Sequence, residues 1–554
     1  MSELMIKNAN IITLDDQNTY AKSLIVSDGK IVRILDESEP NSGEFNITPE
    51  TTVLDLNGAT ILPGFIDTHS HLYMFGQMLE LVDCRSPQNK RIEDILEKIT
   101  EKVKGTEPGK WVMGWGYDDT LLSEKRHLTR YDLDSVSPNH PVFIRHISGH
   151  FGAANSKALE LAGIGEDILN PHGGFFGRDS EGYLDGVIHE IPALEYIFPF
   201  LPSPTEDEQI KNIENAANVY LSKGITTCTD AGVGLDKGIA ELNAHLAAVN
   251  SGKNPMNMKL MILHHLLKED SAFSGYTADE LDRELKQRTN HKVSLDSAKL
   301  FQDGSIQGLT GALREPYFCD QSITGDLLHD QETFTEEILN LHERGFRIAI
   351  HGNGDRAIGS ILAAFDIVLT TNPRTDHRHR IEHVQTASTE DLNTMQRLGV
   401  AASFFINHVY YWGDRHRKLF LGEERASRIN PLADAIERDL LFTLHSDCPI
   451  TPISPLFSVW AAVNRVTSEG NTLGDDQKID VRSALKAMTS YGAKLNFDEE
   501  ESGTIEVGKR ADFVVLGADP LTGPPMDIKD IPVLATIISG KLVWESTERK
   551  YILS

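Results

Sequence analysis

Two histidines separated by one residue, His69 and His71, end a short apolar segment that begins at Phe65. Residues i and i+2 of a strand point to the same side, so both imidazoles project together from the end of one strand. This arrangement suits two ligands of a single divalent metal ion. A His-x-His pair alone is a weak signal, because the chain has 21 histidines and such a pair is also typical of a polar strand end.

Four further side chains of metal-binding type lie where predicted strands end. They are Lys299, His351, His383 and Asp447. Together with the first pair, they offer four imidazoles, one amine and one carboxylate, a donor set for one or two divalent ions, most plausibly zinc.

Each of these four residues also has an ordinary structural interpretation. Lys299 would be a buried lysine paired with Asp303. His351 and His383 would bond to backbone carbonyls, and Asp447 would cap the following helix. The joint occurrence of all four at strand ends favours the metal site over these separate explanations.

Eight predicted strands alternate with helices and must position these side chains. The strand that ends at His69 is the first, and regular alternation begins at Glu208. The other strands are Ile225–Asp230, Lys259–Leu263, Ala298–Phe301, Arg347–His351, Arg380–His383, Val400–Phe404 and Leu440–His445. This order predicts an α/β protein built on a (β/α)8 TIM barrel, in which reactive groups gather at the carboxyl ends of the strands.

The spacing of the candidate ligands supports this register. His351 and His383 are 32 residues apart and His383 and Asp447 are 64 apart, which corresponds to one and two β/α units. By contrast, 228 residues separate His71 from Lys299, more than three units need. The sequence therefore predicts a lobe inserted after strand 1, at about residues 75–205.

Short strands at both chain ends predict a second, smaller domain. Residues 1–62 contain β-branched and apolar segments, with the turn dipeptides Asp28-Gly29 and Asn57-Gly58 among them. Residues 499–554 supply further short strands. We expect both ends to form one composite β-sandwich, which brackets a barrel of residues 63–498 that includes the inserted lobe.

The composition excludes several classes of protein. The 554 residues carry a formal net charge of −29, which disfavours nucleic acids and anionic membranes as partners. Four scattered cysteines without a Cys-x-x-Cys pair argue against a disulfide framework and a thiolate zinc site. Without a signal segment or a run of 18 apolar residues, a cytoplasmic location is the expectation.

The chain resembles the amidohydrolase superfamily over essentially its whole length. The motifs that carry the resemblance are Leu62–His71, Arg380–His383, Ser446-Asp447 and Ser502–Phe513. More narrowly, it is similar to amidohydrolase family 3, in the branch that includes N-substituted formamide deformylase. The motifs of that branch are Lys299–Ser305, His351–Ala357, and Ser148-Gly149-His150 with Asn155-Ser156.

The resemblance implies how the ligands are shared between two metal ions. His69, His71 and Asp447 would hold the first ion, and His351 and His383 would hold the second. In the alternative, a single ion is held by His69, His71, His351 and Asp447, and His383 acts as an acid or base.

The resemblance also implies two chemical roles. Lys299 would bridge both ions after its amine adds carbon dioxide to become a carbamate, because an unmodified ammonium would repel the metals. In the single-ion alternative, Lys299 has no role. Asp447 would be the catalytic residue that takes a proton from the activated water and hands it to the leaving nitrogen.

The substrate-facing loops depart from the pattern of the branch. The run after the strand-4 lysine is Ile306–Thr310 instead of a Gly-Ser-Arg-Thr-like run, and Cys448 stands where an aromatic residue is common. The strand-7 loop, commonly Gln-Pro-x-His, is Ile406-Asn407-His408, followed by Tyr410-Tyr411-Trp412, which is equally typical of packing against the inserted lobe. The resemblance therefore predicts the reaction chemistry of this chain better than it predicts the substrate. The candidate substrate contacts are Trp115, His150, Gln302 and His408.

The leading hypothesis is a metal-dependent hydrolase of a non-peptide C–N bond in a small molecule, such as an N-acyl or N-formyl amine. A deaminase or cyclic-amide hydrolase on the same scaffold is the alternative. A non-catalytic regulatory binding protein is a third hypothesis, which the six filled ligand positions disfavour. Large barrels of this kind often pair, so a homodimer is one expectation.

Overall fold

The computed structural model describes residues 3–35, 51–86, 88–147 and 150–547, apart from the side chain of Ile191. The chain divides into two units. The first unit contains Met1–Tyr73 and Ala216–Ser554, and the second contains Met74–Asn215. The second unit falls in the region where the sequence predicts an inserted lobe.

Eight parallel strands in the first unit form one sheet, and neighbours in the sheet are neighbours in strand order. Their bounds are β1 Phe65–Ser70, β2 Ile225–Val233, β3 Asn257–Leu263, β4 Val293–Phe301, β5 Ile348–Gly352, β6 Arg380–His383, β7 Ala401–Phe404 and β8 Phe442–Leu444. A hydrogen bond of 2.8 Å between the hydroxyls of Thr68 in β1 and Thr443 in β8 joins the first and last strands. The predicted (β/α)8 barrel is confirmed.

Helices connect the barrel strands and extend the loops after β7 and β8. The connecting helices are Leu72–Leu79, Glu206–Leu221, Ile239–Asn250, Ala278–Arg288, Gln331–Glu343, Asp355–Thr371, Thr389–Leu398 and Leu432–Glu437. The helices of the two extended loops are His408–Arg415, Gly422–Ser427, Pro455–Asn464, Val481–Ala487 and Ser490–Leu495. In the described part of the chain, no helix combines the length and apolar composition needed to cross a membrane.

The chain ends form two further sheets in the first unit. In sheet order, the four-stranded sheet contains Lys30–Leu35, Ser23–Ser27, Glu3–Lys7 and Thr51–Asp55. The six-stranded sheet contains Lys541–Glu545, Val533–Ile538, Phe513–Leu516, Thr60–Pro63, Asn10–Ile12 and Tyr20–Ala21. Both sheets contribute to one apolar core, which includes Leu24, Ile61 and Phe513. In the larger sheet, three adjacent strands from the C-terminal end are followed by three from the N-terminal end. This is the composite β-sandwich expected from the sequence.

A single glycine joins this sandwich to the barrel. Gly64 lies between Thr60–Pro63 and β1, and a Cβ atom there would overlap the side chain of Thr226. Thr60–Pro63 pairs antiparallel with Phe513–Leu516, and the N–H of Gly64 donates to the carbonyl of Asp512 at 2.9 Å. Strand β1, which carries His69 and ends directly before His71, is therefore anchored by both ends of the chain.

The second unit contains one mixed six-stranded sheet with short helices. In sheet order, its strands are Phe175–Arg178, Leu184–His189, Phe151–Ala154, Val142–His146, Val112–Tyr117 and Val82–Asp83. Its helices are Ile92–Lys104, Arg130–Val136, Ser156–Leu161 and Ile191–Leu194. The longest helix buries residues spaced as one amphipathic face, namely Ile92, Ile95, Leu96 and Ile99, so its apolar side packs into the lobe.

Candidate metal centre

The carboxyl end of β1 and the loop after β8 bring together the first predicted ligand group. The Nε2 atoms of His69 and His71 lie 3.3 Å and 3.2 Å from Oδ1 of Asp447. One ligand atom from each residue lies within 4.8 Å of the other two. The carboxylate of Asp447 faces these imidazoles. Its contacts are therefore those of a metal-ligand candidate and not those of a helix cap.

The second predicted pair lies beside the first group. The Nδ1 atom of His351 is 2.9 Å from Nε2 of His383, and the rings of His69 and His383 have centroids 4.9 Å apart. The Nε2 atom of His351 lies 3.1 Å from the carbonyl oxygen of Gly304. If Nε2 donates to that carbonyl, Nδ1 keeps its lone pair and faces the site.

Lys299 is buried at the carboxyl end of β4. Burial lowers the pKa of Lys299 to about 8, although the nearby carboxylates of Glu382 and Asp447 act in the opposite direction. The proposed pairing of Lys299 with Asp303 is wrong, because that carboxylate is engaged by backbone N–H groups. Its donors are Ala312, Asn353 and Gly354, at 2.9, 3.0 and 2.7 Å.

His445 is a candidate ligand that the sequence pattern did not reveal. It directly follows β8, and its ring stacks on His69 with centroids 4.5 Å apart. One ligand atom from each of His69, His383 and His445 lies within 4.8 Å of the other two. The signal was present, because His445 stands two residues before Asp447, just as His69 stands two residues before His71.

Glu382 is a second residue whose role became visible only in the structure. Its Oε2 atom lies 2.6 Å from Nδ1 of His69, and its Oε1 atom lies 2.5 Å from Nε of Arg380. Arg380 also pairs with Asp296 at 2.9 Å, and Asp296 is contacted by Arg347. These buried charged side chains thus form a chain of contacts that supports His69 from inside the barrel.

The backbone at two candidate ligands adopts an uncommon conformation. His383 has φ of 74° and Asp447 has φ of 53°, and Val384 follows with φ of 47°. Residues with side chains rarely adopt the left-handed region, and those that do cluster at functional sites. Both positions lie at the carboxyl edge of the barrel, where the fold places reactive groups.

The donors at this edge fit a divalent metal ion. Several of their nitrogen atoms are buried without a hydrogen-bond partner among the described residues, namely Lys299 Nζ, His383 Nδ1, and His445 Nδ1 and Nε2. Buried polar atoms are costly unless a partner satisfies them. Imidazole and carboxylate donors in this number are typical of a divalent-metal site.

Comparison with known proteins decides the family. A sequence model described as the amidohydrolase family matches residues 52–544. The chain belongs to the amidohydrolase family. N-substituted formamide deformylase of Arthrobacter pascens is 30% identical over 554 residues, 99% of each chain. The putative amidohydrolase YtcJ of Bacillus subtilis is 28% identical over 97% of this chain and 98% of its own.

A solved structure agrees with this assignment. An uncharacterized metal-dependent hydrolase from Pyrococcus horikoshii superposes with a TM-score of 0.75 at 25% identity. The match covers 95% of this chain and 99% of that one. This amidohydrolase is therefore a metal-dependent hydrolase that acts on C–N bonds other than peptide bonds.

Gln302 lies after β4 with its amide bonded to the protein itself. Its Nε2 donates to the hydroxyl of Ser360 at 2.8 Å and to the carbonyl of His329 at 3.2 Å. Its Oε1 accepts from the N–H of His329 at 3.2 Å. Contact with substrate stays a prediction for Gln302, and these bonds favour a structural role in the amidohydrolase.

His408 is buried at the start of the helix after β7. Its ring contacts those of Phe405 and Trp412, with both centroids 4.4 Å away, and its Nδ1 is 3.1 Å from Nε2 of His416. Phe405 in turn stacks on His445 at 5.2 Å. His408 thus belongs to an aromatic wall that reaches the metal centre, and its contact with substrate stays a prediction.

The neighbouring aromatic residues of this loop pack within the first unit. The ring of Tyr410 lies 5.2 Å from Phe457 and 5.7 Å from Trp460, and Tyr411 lies 5.8 Å from Phe457. Both partners belong to the helix Pro455–Asn464. A packing role is therefore observed for both tyrosines, with partners from the loop after β8.

The remaining two candidate substrate contacts belong to the second unit. Trp115 lies on the strand Val112–Tyr117 of the lobe sheet, and its Nε1 is buried. His150 is exposed, and its Nδ1 lies 2.9 Å from a carboxylate oxygen of Glu190. Ser148 and Gly149, which precede it in the motif, lie outside the described residues. Contact with substrate stays a prediction for Trp115 and His150.

Proposed function

We propose that this amidohydrolase hydrolyses an N-acyl or N-formyl amine of low molecular mass, with an N-substituted formamide as the first candidate. The chemistry rests on one observation, the carboxylate of Asp447 within 3.3 Å of the imidazoles of His69 and His71. The substrate class rests on the full-length similarity to N-substituted formamide deformylase.

The proposed metal ligands divide into two neighbouring groups. His69, His71 and Asp447 would hold one ion, which we propose to be zinc, and His351 and His383 would hold a second. His445 lies close enough to His69 and His383 to complete either group. When bound, such ions lower the pKa of water and polarise the carbonyl group under attack.

Asp447 is the proposed catalytic base and acid. Burial alone would raise the pKa of Asp447, but hydrogen bonds with His69 and His71 hold that pKa well below its usual range. The side chain is therefore a carboxylate at neutral pH and accepts a proton from the attacking water. It then delivers this proton to the leaving nitrogen, so that the amine departs as a neutral molecule.

Lys299 is the proposed site of a carbamate. With a pKa of about 8, part of the population carries a neutral amine near neutral pH. The lone pair of Nζ forms a bond to the carbon of carbon dioxide, one N–H proton is released to solvent, and an N-carboxylate with one negative charge results. This change converts a group that would repel metal ions into an anionic ligand.

The test is a product screen with the zinc-loaded protein. N-alkyl and N-aryl formamides are compared with the matching acetamides, and we expect the amine and formate in equal amounts. Asp447→Asn should lower turnover by at least about 100-fold, because a positioned acid or base contributes that much. Release of ammonia from an amino-substituted ring, or opening of a cyclic amide, would instead identify one of the alternative activities. Binding without turnover in both the natural chain and Asp447→Asn would identify a binding protein.

A further inference from the structure

A second cluster of metal-binding side chains lies entirely within the inserted lobe. Asp118 and Asp119 directly follow the strand Val112–Tyr117, and His146 is the last residue of the neighbouring strand. The two strands are parallel, and Tyr117 is paired opposite His146. Parallel pairing brings both carboxyl ends to one edge of the lobe sheet, where the three side chains meet.

The ligand atoms of this cluster converge. One ligand atom from each of Asp118, Asp119 and His146 lies within 4.8 Å of the other two. The Nε2 atom of His146 is 3.1 Å from Oδ1 of Asp119, and Nδ1 of His127 is 3.8 Å from the same oxygen. The hydroxyl of Tyr117 lies 3.1 Å from Nδ1 of His127 and holds this second imidazole beside the carboxylates.

The charges of the cluster favour a cation. Among the described residues, no lysine or arginine forms an ion pair with Asp118 or Asp119, and the ion-pair contacts of Asp119 are both histidines. The side chain of His146 is 8% exposed. A divalent ion would balance the charge of the two carboxylates.

The types of donor atom indicate which metal ions the cluster would bind. Calcium and magnesium prefer shells made of oxygen ligands, whereas imidazole with carboxylate suits zinc, cobalt and related ions. The side chains of Asp119 and His127 are 23% and 24% exposed, which leaves a path for an ion to enter from solvent. The cluster therefore has the donors, the charge and the access of a transition-metal site.

We propose that Asp118, Asp119 and His146 bind a divalent ion of the zinc class. The ion links the ends of two strands, so it stabilises the lobe. This site shares no residue with the barrel centre, and its occupancy does not depend on the hydrolytic activity proposed above.

Zinc content of the full-length protein tests this proposal. The double variant Asp119→Asn/His146→Gln should bind one zinc equivalent less than the natural chain and unfold at a lower temperature in the presence of zinc. His172→Gln alters an exposed histidine of the same lobe and is the matched control, with unchanged zinc content. Equal zinc content in the double variant and the control would overturn the proposal.

Anomalous diffraction keeps the test decisive if the double variant fails to fold. Crystals of the natural chain are grown with zinc, and data are collected on both sides of the zinc absorption edge. We expect a peak that contacts Oδ1 of Asp119 and Nε2 of His146. A peak at the barrel ligands without one in the lobe would refute the lobe site and leave the proposed hydrolysis untouched.

Discussion

The Nδ1 atom of His69 lies 2.6 Å from Oε2 of Glu382, and the two side chains are 1% and 0% exposed. When Nδ1 donates to this carboxylate, Nε2 is the nitrogen left to bind a metal ion beside Asp447. A carboxylate behind a metal-binding histidine fixes both its tautomer and its orientation. Burial alone would raise the pKa of Glu382, but Arg380 and His69 hold that pKa well below its usual range, so the carboxylate stays charged.

Glu382→Gln should therefore weaken zinc binding by about 10–100-fold, the usual effect of losing such a support. It should also lower the free energy of unfolding by about 3–5 kcal/mol, because Arg380 loses one buried charge partner. Competition with a coloured chelator measures the first effect and urea unfolding the second. Glu337→Gln, which removes the partner of His264, is the control and should leave zinc affinity unchanged.

Lys299 provides a prediction about alkaline pH in the protein without metal and carbon dioxide. Burial lowers its pKa from 10.5 to about 8, so between these values the unfolded chain binds more protons than the folded one. The free energy of unfolding should therefore rise with pH between pH 8 and pH 10.5. Below pH 8 Lys299 is charged in both states, and the full cost of burying its charge, about 3 kcal/mol, remains. Lys299→Met should remove this penalty, which makes the variant more stable at pH 7 but not at pH 11. Urea unfolding at both pH values measures the difference, and an equal difference at both would contradict the prediction.

Two buried histidines near the amino ends of β5 and β6 predict sensitivity to acid. The N–H of Ile348 donates to Nδ1 of His379 at 3.1 Å. Nε2 of His379 lies 2.8 Å from Nδ1 of His342, whose Nε2 lies 2.8 Å from the carbonyl of Asn372. Each Nδ1 accepts in this chain, so both imidazoles must be neutral. Burial accordingly lowers the pKa of His342 and places that of His379 well below its ordinary value.

Stability should fall as the pH drops below about 6.5, because the unfolded chain takes up protons that the folded one resists. His379→Asn keeps an acceptor for the N–H of Ile348 and removes the titrating ring. We expect this variant to be less stable at pH 7 and to lose less stability between pH 7 and pH 5. Urea midpoints at these two pH values measure the effect, with the exposed His172→Gln as the control. A pH dependence as steep in His379→Asn as in the natural chain would refute the explanation.

Gly354 gives a prediction about the loop after β5. A Cβ atom there would overlap the backbone of Ala312, and the N–H of Gly354 donates to Asp303 at 2.7 Å. The preceding Asn353 donates from Nδ2 to the carbonyl of Gly304 at 2.8 Å, and this carbonyl lies 3.1 Å from Nε2 of His351. Gly354→Ala should therefore displace this contact, cost about 1–3 kcal/mol of stability and weaken zinc binding.

Thermal unfolding and zinc titration check the Gly354→Ala prediction. Gly105→Ala is the matched control, because its Cβ would meet nothing closer than the carbonyl of Lys102 at 3.7 Å. We expect both measured quantities to stay unchanged in this control. Equal zinc affinity in the two variants would show that the loop does not position His351.

The sequence predicted the barrel because its signals are local. Each strand is an apolar run of its own, and the spacing of His351, His383 and Asp447 repeats the length of one β/α unit. The support of His69 by Glu382 could not be predicted in this way. This contact joins β1 and β6, which are distant in the chain. It also depends on which side of β6 faces the barrel interior.

The inserted lobe was harder to predict. The sequence predicts two strands there, Trp111–Tyr117 and Val142–His146, and the structure has them at Val112–Tyr117 and Val142–His146. Phe151–Ala154, Phe175–Arg178 and Leu184–His189 were not predicted, since they are short and lie among glycines and prolines. Their pairing with distant strands stabilises them, and such pairing leaves little trace in a local pattern. The domain boundaries at residues 62 and 499 stay predictions.

The pairing of Thr60–Pro63 with Phe513–Leu516 has a consequence for biosynthesis. During translation, about 440 residues, 72–512, are synthesised between His71 and the strand Phe513–Leu516. We therefore expect the first histidine pair to reach its final position, and to bind metal stably, only after residues 513–516 have emerged. Maturation of the metal centre is thereby coupled to the synthesis of the C-terminal strands.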